Sequence, residues 1–125
     1  MSCEEYEVVT KMYVGRDNPV IIVPYSDVVA RELYDMTDVT LVQVWADLKS
    51  STVSGDAVTA ESTDVPQTIT RAKQSSGEWQ IDIRVGRFVG IVAGEYNLRV
   101  VLTEPNTPNG VVVANDLRVD LIGAP

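Results

Sequence analysis

The sequence predicts an all-β protein, and a β-sandwich in preference to a barrel. Apolar side chains recur with a period of two along most of the chain, which is typical of strands that bury one face. Clusters of Gly, Pro, Asn, Asp and Ser separate these segments at short intervals, as in sandwiches built from hairpins. The 125 residues suffice for one hydrophobic core without a metal or a disulfide. We therefore predict a single domain over residues 1–125, with seven to nine antiparallel strands.

The clearest alternation lies in GEWQIDIRVG, residues 77–86. Trp79, Ile81, Ile83 and Val85 point to one side of this predicted strand, and charged or amide side chains point to the other. The same alternation and runs of β-branched residues predict the remaining strands. They span residues 6–14, 20–25, 39–48, 56–61, 66–72, 95–103 and 111–122. The strand over 39–48 is apolar on both faces, which predicts burial on both sides or a face kept for a partner.

Two segments in the first third of the chain depart from a regular strand pattern. The apolar phase slips within residues 6–14, and Pro24 marks the end or an edge position of the second strand, because proline cannot donate to a ladder. Residues 26–37, SDVVARELYDMT, are the only segment with helix-forming composition. They predict at most one short helical turn near 26–35, or an irregular crossover.

Later in the chain, glycines and polar pairs mark corners. Gly90 and Gly94 bracket a corner before the strand over 95–103. The turn-rich segment 104–110 contains an Asn-Gly pair, which predicts a hairpin. Asn115 and Asp116 interrupt the last strand and predict a β-bulge that shifts its inward phase. After this bulge, Leu117, Val119 and Leu121 are expected to face the core.

Net charge, hydropathy and cysteine content limit the expected partners and the compartment of synthesis. The formal net charge of −8 repels phosphate backbones, so nucleic acid is not an expected partner. No apolar run approaches the ~20 residues that span a bilayer, and the acidic start of the chain lacks the layout of a secretory signal. We therefore expect no membrane contact. The single cysteine, Cys3, fits synthesis in a reducing cytosol.

The chain contains no histidine, which removes the commonest general base and metal ligand. Carboxylates are the remaining candidates. Calcium ligands could come from Asp27, Asp35, Asp38, Asp47, Asp56 and Asp64, but loop aspartates are mostly turn formers. Glu78 and Glu95 could be imagined as a glycosidase pair, but solvated strand ends explain them more simply. We predict no catalytic, cofactor-binding or metal-ligating residue, and no enzyme.

Basic and aromatic residues are the other candidates for a binding site. Five basic residues could form a stripe, although neighbouring acids Asp82, Glu95, Asp116 and Asp120 favour cross-strand ion pairs instead. These basic residues are Lys73, Arg84, Arg87, Arg99 and Arg118. Trp79 is expected in the core, whereas Trp45 is placed equally well in the core or at an interface.

Four stretches resemble the immunoglobulin-like modules of tailed-phage virion proteins. YVGRDNPVIIVPYSD (13–27) and LYDMTDVTLVQVWAD (33–47) are similar to the opening of such modules, in which a turn and an Asp-x-Thr lead-in precede a long strand. GEWQIDIRV (77–85) and GIVAGEYNLRVVLTEPNTPNG (90–110) resemble their late strands, where an Ala-Gly-x-Tyr corner opens the strand before the final hairpin. The segment over 26–37 is longer than in those modules.

This resemblance implies an immunoglobulin-like β-sandwich and a structural role in a virion, with no catalytic residues to carry over. The expected function is a capsid decoration or cement protein that binds the major capsid protein, made in the host cytoplasm and self-associating at lattice positions. A tail or baseplate adaptor is the related alternative, and a carbohydrate-binding module is an alternative of a different class. Partner contacts are expected at the N-terminal segment 1–10 and at residues 50–64, through strand addition or an ordering loop.

Overall fold

The computed structural model describes residues 6–8, 12–27, 29–49 and 57–123, with side chains described from residue 12 onward. These residues form strands and one 3-10 turn, at Val85–Arg87. The strands are β1 (Tyr6–Val8), β2 (Met12–Tyr13), β3 (Val20–Ile22), β4 (Tyr25–Asp27), β5 (Glu32–Leu33), β6 (Leu41–Leu48), β7 (Val58–Glu61), β8 (Ile69–Lys73), β9 (Trp79–Ile83), β10 (Gly94–Glu104) and β11 (Thr107–Ile122). Within the described ranges, no helix is long and apolar enough to cross a membrane.

Two sheets and a small hairpin contain these strands. One sheet has the order β1-β3-β9-β8, the other has the order β2-β11-β10-β6-β7, and β4 pairs with β5 alone. All pairs are antiparallel except β2 with β11. The two orders correspond to strands A-B-E-D and A′-G-F-C-C′ of an immunoglobulin domain. The chain is thus an all-β, immunoglobulin-like sandwich, as the sequence predicted.

The first predicted strand is divided between the two sheets. Where one strand was expected over 6–14, β1 pairs with β3 in one sheet and β2 pairs with β11 in the other. Residues 9–11 lie between them and outside the described ranges. A strand that changes sheets must present its side chains to the core from a new direction, which is the physical reason for the slip in apolar phase.

The core fills the space between the two sheets with alternate side chains from each strand. Ile81 and Ile83 of β9 are buried, as is Val85, and Trp79 is half-buried at the margin of this core. In the facing sheet, the buried residues of β6 and β10 are Val42, Val44, Ala46, Tyr96, Leu98, Val100 and Leu102. Leu117, Val119 and Leu121 of β11 are buried as well. Period-two alternation therefore located the core strands correctly.

A tyrosine ties the start of β10 to the connection before it. The hydroxyl of Tyr96 donates to the carbonyl of Val92 at 2.8 Å and lies 3.3 Å from the Val92 amide nitrogen. The ring is buried. This is the tyrosine corner of immunoglobulin-like sandwiches, in which the second residue after the tyrosine is a cysteine in antibody domains. Leu98 occupies that position here and is buried, so packing replaces the inter-sheet disulfide.

The segment with helix-forming composition is a hairpin. β4 and β5 flank a turn in which Arg31 has a φ of 55°, and no described residue of 26–35 is helical. The guanidinium of Arg31 stacks over the Tyr25 ring at 5.2 Å, and the Tyr34 amide donates to the Pro24 carbonyl. These tertiary contacts outweigh the weak helix propensity of the segment. The described residues of the segment therefore contain no helical turn, which agrees with the prediction of at most one.

The final hairpin is present, but its turn is not at the Asn-Gly pair. Glu104 pairs with Thr107, so Pro105 and Asn106 form the two-residue turn. Gly110 lies within β11 with a φ of 85°. Pairing between β10 and β11 shifts register beyond Leu98, where Asp116 adopts a φ of 60°. The bulge predicted at residues 115–116 is thus confirmed, and it returns the apolar residues after it to the core.

Candidate interaction surface

Two connections at one end of the sandwich expose valines beside a cavity. Residues 62–68 join β7 to β8, and residues 84–93 join β9 to β10. Val65 is 96% exposed and Val89 is 91% exposed. Both line a cavity of about 240 Å³, together with Pro66, which is also exposed. We call Val65, Pro66 and Val89 the valine patch. Single exposed apolar residues are ordinary, so it is their grouping around one cavity that makes the valine patch the candidate interaction surface.

The cavity under the valine patch has an apolar floor and a polar rim. Ala60 and Phe88 are buried in its floor. Thr68 is buried there too, and its hydroxyl has no hydrogen-bond partner among the described residues. On the rim, Arg87 pairs with Asp17 at 2.6 Å. The cavity therefore combines apolar and polar groups in similar amounts, as protein-binding surfaces commonly do.

The connection over 62–68 is held in shape by its own hydrogen bonds. The amide of Glu61 donates to the Asp64 carboxylate at 2.9 Å, and the Asp64 amide donates to the Glu61 carbonyl at 3.1 Å. The side-chain amide of Gln67 donates to the Ser62 carbonyl at 3.0 Å. Val65 is thus presented on a fastened loop, which reduces the entropy lost when a partner binds.

The described aspartates among those considered as calcium ligands are dispersed over separate turns and strands. Asp35 accepts from the Thr37 hydroxyl and amide, which lowers the pKa of its carboxyl. Asp27 accepts from the Ala30 amide. Asp38 and Asp47 are exposed, and Asp56 lies outside the described residues. Within the described ranges, no three acidic or cysteine side chains are close enough to hold a metal ion.

The two glutamates considered as a glycosidase pair lie in different parts of the sandwich and have different partners. Glu95 bonds the guanidinium of Arg118 at 2.7 Å and the ammonium of Lys49 at 3.4 Å. Glu78 precedes β9, whereas Glu95 is the second residue of β10, which follows the connection at the other end of β9. The side chain of Gln80 bonds Glu78 at 3.5 Å. Neither glutamate lines the cavity under the valine patch.

The basic residues are divided between the two sheets and do not form one stripe. Lys73 lies in β8 and Arg84 follows β9, whereas Arg99 and Arg118 lie in β10 and β11 of the other sheet. Arg118 has the cross-strand partner Glu95, as cross-strand pairing predicted. Arg87 pairs with Asp17, which the sequence did not indicate. Such exposed pairs contribute little to stability.

The two tryptophans are half-buried, and Trp79 packs against the core, as expected. Trp45 lies on the outer face of β6, with the guanidinium of Arg99 4.7 Å above its ring. A cation stacked on the indole occupies the face that a sugar ring would need. Tyr13 is also half-buried. No bare aromatic platform is thus visible among the described residues.

The expected contact segments fall only partly on described residues. Of segment 1–10, the backbone of β1 is described, and it pairs with β3 in its own sheet. Of segment 50–64, residues 57–64 are described, and they include β7. Comparison of the sequence with protein-family models and with curated proteins gives no match.

Proposed function

We propose that this protein is a non-enzymatic structural component of a tailed-phage virion, namely a capsid decoration protein that binds the major capsid protein. The sequence pattern of phage immunoglobulin-like modules and the immunoglobulin-like strand order support the proposal. The observation that carries it is the valine patch, because Val65 and Val89 are almost fully exposed at the mouth of a cavity. Apolar side chains this exposed contribute favourable free energy only when a partner removes them from water.

The size of the valine patch suits a contact that is repeated many times. Complete burial of two valines contributes about 3 kcal/mol before the cost of association is subtracted. One such contact alone is weak. Many equivalent capsid positions, or a homo-oligomer that presents several patches, raise the overall affinity through avidity. A net charge of −8 favours a protein partner over packaged nucleic acid.

Co-sedimentation with capsids that lack this protein tests the proposal. Saturable binding at a fixed ratio to the major capsid protein is expected. Val65→Asp combined with Val89→Asp should weaken binding at least thirtyfold, roughly 2 kcal/mol, because the partner would have to desolvate two carboxylates. The matched control is Val29→Asp. Val29 is 96% exposed and lies in the hairpin of β4 and β5, near the end of β10, whereas Val89 precedes the start of β10. The control variant should bind as the parent protein does.

Two further samples separate the alternatives. Isolated tails are sedimented with the protein in parallel, and a glycan array is probed with it. Binding to tails but not to capsids would replace the decoration protein with a tail or baseplate adaptor. Binding to a glycan alone would favour the carbohydrate-binding module. No binding to capsids by a folded protein contradicts the decoration proposal.

A further inference from the structure

The outer edge of β8 carries backbone groups that no described strand pairs with. β8 is the last strand of its sheet. The amide of Arg84 donates to the Thr68 carbonyl, and the amide of Gln74 donates to the Glu78 carbonyl. Because hydrogen-bonded positions alternate along an antiparallel ladder, even-numbered residues of β8 bond β9. The amides and carbonyls of Ile69, Arg71 and Lys73 therefore point away from β9, toward the open edge.

The facing edge of the other sheet is partly closed by its own connection. β7 is the last strand there, and the Ser62 amide donates to the Val42 carbonyl. By the same alternation, Thr59 and Glu61 point outward. The amide and carbonyl of Glu61 are both bonded by Asp64. Of the two neighbouring edges, β8 thus offers three alternate outward positions to another strand, whereas β7 offers Thr59 alone among its described residues.

A cleft lies beside the β8 edge, between the two sheets. Its volume is about 390 Å³, which holds two or three side chains. The fully buried side chains of Val42 and Ile69 lie behind its wall. Hydroxyl and amide groups form the rest of the lining, from Thr40, Ser62, Thr63, Gln67 and Thr70. An extended segment that pairs with β8 would place alternate side chains into this cleft.

Arg71 supplies the charge at the cleft. Its Nη2 donates to the carbonyl of Val39, which anchors the guanidinium beside the opening. Its Nη1 is shielded from solvent and has no hydrogen-bond partner among the described residues. A shielded cationic nitrogen without an acceptor is costly, and a carboxylate satisfies it best. Lys73 lies two residues further on the same face of β8.

We propose that the β8 edge binds an extended acidic segment of a partner protein by antiparallel strand addition. A carboxylate side chain opposite Arg71 would enter the cleft and accept from Nη1 once the guanidinium turns this nitrogen toward the opening. A second carboxylate would lie opposite Lys73, and an apolar side chain would lie opposite Ile69. Backbone bonds supply affinity in this mode and alternate side chains supply specificity. The inference goes beyond the proposed function, because it names a second surface and the chemistry of its ligand.

A synthetic peptide tests the proposal without any virion component. The peptide acetyl-Thr-Glu-Thr-Glu-Thr-Val-Thr-amide places its glutamates opposite Lys73 and Arg71 and its valine opposite Ile69. Calorimetry should detect binding with a Kd below about 1 mM. The same peptide with glutamine in place of both glutamates should bind at least about tenfold more weakly. On binding, amide exchange of Ile69, Arg71 and Lys73 should slow.

Two controls separate strand addition from simple charge attraction. Methylation of the amide nitrogen of the glutamate opposite Arg71 blocks its bond to β8 without changing the charge, and should abolish binding. Arg71→Gln should weaken binding of the parent peptide about tenfold, while the matched variant Arg99→Gln, on the outer face of the other sheet, should not.

Equal affinity for the glutamate and glutamine peptides, retained binding of the methylated peptide, or no binding at about 1 mM would each overturn the proposal. The methylated peptide keeps the test valid if Arg71→Gln impairs folding. Because the assay contains no capsid, its failure is distinct from failure of the decoration proposal.

Discussion

Removal of one hydroxyl from the tyrosine corner should measurably destabilise the fold. Tyr96→Phe keeps the buried ring and removes only the oxygen that bonds the Val92 backbone. Those bonds hold the connection over 84–93 against the start of β10. This connection carries Val89, so the corner also supports the valine patch.

The expected loss follows from the two contacts. The bond from the Tyr96 hydroxyl to the Val92 carbonyl, at 2.8 Å, has ordinary length and contributes about 1 kcal/mol. The contact with the Val92 amide, at 3.3 Å, is long and adds a few tenths of a kcal/mol at most. Val92 is half-exposed, so water can partly replace the hydroxyl. We expect a loss of about 1–1.5 kcal/mol, or a Tm lower by roughly 4–6 °C for a domain of this length.

Urea unfolding followed by tryptophan fluorescence, together with calorimetry, measures this loss. The matched control is Tyr13→Phe, which removes the same atom from a half-buried tyrosine outside the corner. Its effect should stay within about 0.5 kcal/mol. If both variants lose the same stability, or Tyr96→Phe loses less than about 0.5 kcal/mol, the corner does not stabilise this sandwich.

Two further predictions concern close packing and pH. Gly86→Ala should lower the free energy of unfolding in urea by at least about 2 kcal/mol, because the added Cβ would lie 2.2 Å from the Tyr13 carbonyl oxygen. The control is Gly123→Ala, whose Cβ meets no atom within 4 Å and which should be neutral. Burial and the bond to Glu104 raise the pKa of Tyr34 to about 12. The folded state thus favours the neutral phenol more than the unfolded state does. The resulting contribution of Tyr34 to the free energy of unfolding is complete below pH 10 and is lost as the pH rises toward 12. Glu104→Gln should move the late step of the phenolate absorbance titration to lower pH, and an unchanged titration would contradict this account.

Strand positions were predictable from the sequence because alternation is a local property. Ile81, Ile83 and the residues after the Asp116 bulge face the core as their spacing indicated. The hairpin near Arg31 and the 3-10 turn at Val85–Arg87 were not predictable in the same way. Arg31 reaches a positive φ through contacts with Tyr25, a partner that no helix-propensity argument includes. The Pro105–Asn106 turn displaced the Asn-Gly pair because strand pairing, not dipeptide preference, set the register.

The valine patch was not predictable because its members come from separate connections. Val65 and Val89 are 24 residues apart in the chain and meet only when the two connections reach the same end of the sandwich. A weak local signal does exist. Each is a β-branched residue in a loop, where such side chains rarely have a conformational role. The open edge of β8 likewise depends on which strand ends the sheet, a property of topology alone.

The two proposed surfaces share one structural element, the connection over 62–68. Val65 and Pro66 belong to the valine patch, whereas Ser62, Thr63 and Gln67 line the cleft beside β8. Exposed valines and an open strand edge are both liabilities for a free protein, since each invites unspecific association. A single partner lying along this connection would cover both. Because the connection is already fastened by its own hydrogen bonds, such a partner would bind a surface that needs little reorganisation.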